Sequence, residues 1–124
     1  MACLDTSVII SILKGDESIR RIIETYKEMG YMTTTVITEY ELLKHTDKVK
    51  KEIAREFINS IRIYPFDRVA AIEASKIFEK LRHFGKMINE NDILIAGIAM
   101  ANNELLITRD KKFNNMNNEK IIVI

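Results

Sequence analysis

The feature that most constrains the fold is the alternation of short apolar, β-branched segments with stretches of helical periodicity. Met1 to Leu4, Tyr31 to Thr35, Ile61 to Tyr64, Leu105 to Thr108 and Ile121 to Ile124 are brief and rich in residues that suit strands. Between them, apolar residues recur at helical spacing: Val8, Ile9, Ile12 and Leu13, then Ile19, Ile22, Ile23 and Tyr26. Strands that alternate with helices, and that are short, apolar and β-branched, argue for an α/β fold. Its expected form is a three-layer sandwich, with a short, mostly parallel central sheet and helices on both faces.

Punctuation falls between these segments. Gly15, Gly30 and Gly85 suit helix ends, and Pro65 stops the strand that ends at Tyr64. Asp67 is placed to cap a long helix running to about His83. Asp47 to Ser60 reads as a helix with Val49, Ile53, Phe57 and Ile58 apolar and its other face solvated. Asn91 to Ala101 is almost wholly apolar and small, which suits a helix buried on most sides. Within it, Gly97 costs about 1 kcal/mol against alanine; close approach of a neighbouring backbone would explain it. Asn102-Asn103-Glu104 reads as a turn.

The 124 residues fit one domain, 1–124, large enough for a core without disulfides. The formal net charge is +1, so charge alone does not point to nucleic acid, and any such partner must be argued from a site. Cys3 is the only cysteine and lies in an apolar strand, which suits a buried thiol. No apolar run approaches the ~20 residues of a membrane span, and no basic-then-apolar leader opens the chain. The expectation is a soluble cytoplasmic protein with no membrane contact.

Four carboxylates stand where a strand hands over to a loop or helix. Asp5 follows the first strand, Glu41 lies in the helix after the second, Asp92 opens the apolar helix, and Asp110 follows the fourth strand. In a parallel sheet these handovers share one edge, where open α/β sheets bind ligands. Each acid also has a structural reading: Asp5 as a helix cap, Glu41 as a solvated helix position, Asp92 as a helix-start acid favoured by the dipole, Asp110 as a turn residue. Gathered in one cleft, the four would repel unless a cation intervened. Oxygen-only ligands suit Mg²⁺ or Mn²⁺. His45 and His83 sit in polar, loop-like settings, so a histidine zinc site is not expected. Carboxylate-held Mg²⁺ or Mn²⁺ suits phosphate chemistry, lowering the pKa of a water and neutralising charge on phosphoryl oxygens.

The same positions resemble the motifs of the PIN-domain ribonucleases, and within them the short VapC-type toxins of toxin–antitoxin pairs. Leu4-Asp5-Thr6-Ser7 resembles the family's opening Asp-Thr-Ser/Asn motif. Thr35 to Leu42 resembles its Thr-x-x-Glu-Leu segment, which puts the family's glutamate at Glu41 and not at Glu39. Asn91 to Ala96 is similar to its Asn-Asp-x-x-Ile-Ala helix start. Thr108-Arg109-Asp110, followed by Phe113, is similar to its end-of-strand Thr-x-Asp motif. The order and spacing hold across the whole chain. Gly97 departs from the family's frequent alanine.

The resemblance implies a PIN-like fold and a Mg²⁺- or Mn²⁺-dependent endoribonuclease in which metal-activated water attacks RNA phosphodiesters. By it, Asp5, Glu41, Asp92 and Asp110 are catalytic. Asp5 and Asp92 are the principal metal ligands, and Asp110 joins them. Thr6, Ser7 and Thr108 orient them from behind, and Arg109, Lys111 and Lys112 are candidates for gripping the RNA backbone. It also implies a homodimer and a cognate antitoxin, for which the helices Glu17 to Met29 and Asp47 to Ser60 are candidate contact surfaces.

Three other readings compete. A PIN nuclease of RNA maturation shares every motif, although the small size and missing zinc module favour the toxin. A catalytically silent binding module would not need all four acids. A phosphoacceptor receiver domain has this length and an acidic Mg²⁺ pocket, but should pair two acids after its first strand, where Asp5 stands alone.

Overall fold

A computed structural model describes residues 1–44 and 47–124. In chain order the elements are β1 (Ala2–Leu4), α1 (Thr6–Leu13), α2 (Glu17–Lys27), β2 (Met32–Thr35), α3 (Val36–Leu43), α4 (Lys48–Asn59), β3 (Arg62–Tyr64), α5 (Arg68–His83), α6 (Glu90–Ala101), β4 (Leu105–Thr108), a 3₁₀ helix (Lys111–Met116) and β5 (Ile121–Val123). Several helices begin on a side chain that takes up a free amide. Asp16 accepts from Ile19 N–H, Asp47 from Val49 and Lys50, Asp67 from Ala70, and Asn89 from Asn91. The expected cap at Asp67 is therefore present.

All strand pairings are parallel, in the order β3-β2-β1-β4-β5. That order differs from the 2-1-3-4-5 arrangement of receiver-type domains, and the receiver reading falls with it. Alternate residues of a strand point to opposite faces, and β1 divides accordingly. Ala2 and Leu4 pack with Val8, Ile9, Ile19, Ile23, Leu42 and Ile58 from α1 to α4. Cys3 packs with Leu81, Ile93, Ile95, Ala96 and Phe113 from α5, α6 and the 3₁₀ helix. These two cores are the faces of the three-layer sandwich.

α6 is buried along most of its length, as its composition requires. A Cβ built on Gly97 would sit 2.7 Å from Ala74 Cβ and 2.9 Å from the Ala70 carbonyl oxygen. The glycine thus lets α5 and α6 approach more closely than alanine permits. α4 departs from expectation: it buries Ala54 and Ile58, while Val49 and Ile53 are exposed. An apolar stripe on a short amphipathic helix is wider than the strip that meets the sheet. Glu104, expected in a turn, is 1% exposed, and its Oε1 accepts from the Tyr64 hydroxyl at 2.7 Å. The tyrosine is pushed up to about 12, by burial first and then by that bond.

Candidate active site

β1 and β4 lie side by side, yet the chain leaves β1 towards β2 and β4 towards β5. The crevice at such a divergence is where open parallel sheets hold ligands. Asp5 stands at its centre. Its amide extends the ladder by donating to the Ile107 carbonyl at 2.9 Å. It precedes α1 in extended conformation, but its carboxylate does not cap that helix. Instead Oδ2 accepts from the Thr108 hydroxyl at 2.7 Å and the Ser7 hydroxyl at 2.8 Å. Oδ1 is buried with no hydrogen-bond partner. Burial raises the Asp5 pKa; the Thr108 and Ser7 hydroxyls and the nearby Thr6 amide pull it back, and Glu41's charge adds to the rise.

Glu41 arrives on α3. Its Oε1 accepts from the Thr6 hydroxyl at 2.7 Å, and that hydroxyl lies 3.0 Å from the Thr38 hydroxyl. Asp110 leaves β4 with its amide on Thr108 Oγ1 at 3.0 Å, and its Oδ1 accepts from Lys112 N–H at 2.9 Å. Asp92 sits in the first turn of α6. Its carboxyl is pushed up to about 7 by partial burial and then by the charges of Asp5, Asp110 and Glu41; Lys112 opposes the rise. Four chain segments therefore bring their acids within each other's electrostatic reach.

This donor set fits a hard dication. All its ligand atoms are oxygens, the negative charges are mutually repulsive, and the buried Asp5 Oδ1 is unpartnered. As the side chains stand, no three His, Cys, Asp or Glu among the described residues close around a single ion. His83 ends α5 with its ring edge-on to Phe84, and His45 lies outside the described residues.

Thr6 donates to Glu41, and Ser7 and Thr108 donate to Asp5. Lys111 and Lys112 are exposed. Arg109 turns its guanidinium onto Ser11 Oγ at 2.7 Å and Asp16 Oδ2 at 3.4 Å. Sequence reasoning missed Ser11 and Thr38. Ser11 is the lone buried hydroxyl in an otherwise aliphatic stretch, one turn after Ser7. Thr38 lies one turn after the Thr35 that caps α3. Either feature would have served as a signal.

A cavity of about 1170 Å³ lies elsewhere, lined by Ile12, Leu13, Ile23, Tyr31, Phe57 and Ile61 among others and by none of the four acids.

The pattern of the PIN domain matches residues 2–119. Ribonuclease VapC1 of Methanocaldococcus jannaschii is 31% identical over 110 residues, covering 88% of this chain and 75% of that protein. VapBC2 from Rickettsia felis, bound to a DNA fragment from its promoter, superposes with a TM-score of 0.83 at 22% identity, over 99% of this chain and 96% of that one. VapBC-1 from nontypeable Haemophilus influenzae does so with a TM-score of 0.83 at 22% identity, over 98% and 96%. Among the described residues no helix is long and apolar enough to cross a membrane. The match along nearly the whole chain, joined to the acids at the carboxyl edge of the sheet, makes the chain a member of the PIN-domain family.

Proposed function

We propose that the protein is a metal-dependent endoribonuclease and the toxin of a VapBC-type pair acting in the cytoplasm. The observation that carries this is the convergence of Asp5, Glu41, Asp92 and Asp110 at one sheet edge, in a chain whose relative is a ribonuclease. Asp5 through Oδ1, with Asp92 and Asp110, would hold Mg²⁺ or Mn²⁺. When bound, the ion supplies a low-pKa water and charge neutralisation at the phosphate.

The chain's own residues set the stage. Ser7 and Thr108 occupy Asp5 Oδ2 and leave the buried Oδ1 without a partner, available to a cation. Thr6 steadies Glu41, whose free carboxylate oxygen is available to orient a water or take its proton. Asp92, poised near neutrality, gives up its proton readily when a cation arrives. Lys111 and Lys112 stand beside Asp110 to attract RNA phosphates. The apolar cavity beside α1, α2 and α4 supplies a surface for the antitoxin, since solved relatives are toxin–antitoxin complexes. A homodimer is part of the same reading.

Purified protein should cut end-labelled RNA with Mn²⁺ or Mg²⁺, fail with EDTA, and fail as Asp92→Asn. Undiminished cutting by a folded Asp92→Asn protein would reject the site.

A further inference from the structure

We propose that Arg109 is a positioning residue that locks the active-site edge of β4 onto α1, and does not grip RNA. The inference rests on the nuclease reading above and names a role within that same site. Arg109 lies between Thr108 and Asp110, so its conformation sets the exit of both. It is fixed at two points on one helix. Its backbone N–H donates to Ser7 Oγ at 3.0 Å, and its guanidinium donates to Ser11 Oγ at 2.7 Å, one turn further along α1. Ser7 in turn donates to Asp5 Oδ2 at 2.8 Å. Ser11 donates to the Ser7 carbonyl at 3.0 Å, which leaves its oxygen free to accept from the arginine. The chain of contacts thus runs from Arg109 through Ser7 to the buried acid.

Asp16 completes the arrangement. Its Oδ1 caps α2 while its Oδ2 stands 3.4 Å from the guanidinium. This pair is partly exposed and contributes little to stability. Its effect is to hold the side chain along α1 and away from the cleft. Ser11 is buried at 7% exposure in the aliphatic run Ile9, Ile10, Ile12 and Leu13, its hydrogen given to the Ser7 carbonyl and its oxygen accepting from the arginine. Its presence there matches a built anchor for Arg109.

The test compares Arg109→Ala, Arg109→Lys, Ser11→Ala and the Arg109→Ala/Ser11→Ala double variant on a labelled single-stranded RNA with Mn²⁺. A second assay measures metal-free RNA binding in an Asp92→Asn background. Arg109→Ala and Ser11→Ala should each lower kcat by about tenfold, the usual scale for residues supporting metal ligands. KM and metal-free RNA affinity should hold. The double variant should be no worse than Arg109→Ala, and Arg109→Lys, which keeps a donor for both acceptors, should recover kcat. A raised KM and weakened RNA binding with kcat intact, and a silent Ser11→Ala, would make Arg109 a phosphate contact and overturn the proposal. If the parent cuts no RNA, the nuclease reading fails separately. Urea denaturation then decides: non-additive losses in the double variant support the lock, and additive losses reject it.

Discussion

The Thr108 hydroxyl, at the end of β4, donates to Asp5 Oδ2, at the end of β1, across 2.7 Å. The two strands that flank the crevice are thus joined through the acid itself. With Ser7 on the same oxygen, the bond loads one side of the carboxylate and leaves Oδ1 without a partner. Thr108→Val keeps the shape and removes the donor. It should cost about 1.5–3 kcal/mol, the range for a bond to a charged group. Urea denaturation measures the loss, and RNA cleavage should fall with it because Asp5 is no longer aimed. An unchanged midpoint would mean that the contact carries no energy.

Asp92 makes stability depend on pH in an unusual direction. Its carboxyl titrates at about 7 in the folded chain, against 3.8 ordinarily, because of burial and three neighbouring acids. The folded state therefore binds the proton more tightly. The stability this contributes is fully present below about pH 3.8 and is lost as pH rises through about 7. Asp5, also raised, acts in the same direction. Metal-free protein should melt at a higher temperature near pH 5.5 than near pH 8, and Asp92→Asn should flatten the difference. Added Mn²⁺ should restore more at the higher pH, where the acids are already deprotonated. A metal-free melting temperature that does not fall between these pH values would show that the acids do not interact.

Much of this was legible in sequence because strand, cap and acid each leave a local trace. Asp5, Asp92 and Asp110 follow or open elements whose boundaries are marked by β-branched runs and by Asn89. A parallel sheet gathers such positions at one edge whatever the details. The fate of Arg109 was not legible. A cation between site residues reads as a candidate phosphate contact, and nothing local announces that its guanidinium meets Ser11, one turn after Ser7 on α1. The burial of Glu104 was hidden for a similar reason: Tyr64, forty positions away, supplies its partner. Long-range polar pairing has no periodicity to betray it, whereas the apolar core does.

Gly97 tests how closely α5 and α6 must approach. Gly97→Ala gains helix propensity of about 1 kcal/mol. It also drives a methyl to 2.7 Å from Ala74 Cβ and 2.9 Å from the Ala70 carbonyl oxygen, neither of which can swing aside. Overpacking of this kind costs about 1–3 kcal/mol, so the net change should be destabilising despite the better helix former. Pairing it with Ala74→Gly should recover part of the loss. A melting temperature above the parent's would mean that the helices separate freely.

Asp5→Asn separates stability from activity. The amide keeps an oxygen for Ser7 and Thr108 and replaces the unpartnered Oδ1 with a neutral group that the charge of Glu41 does not repel. It also removes one charge from the set that raises Asp92. Without metal the variant should gain about 1–2 kcal/mol, the scale of relieving an unpartnered buried polar atom. The same change removes the anionic oxygen offered to a dication, so Mn²⁺ should no longer raise the melting temperature and cleavage should vanish. A residue that lowers stability while serving a ligand is the expected mark of a site shaped for binding. If Asp5→Asn destabilises the metal-free fold, the buried carboxylate is structural, and the reading of Oδ1 as the atom available to a cation fails.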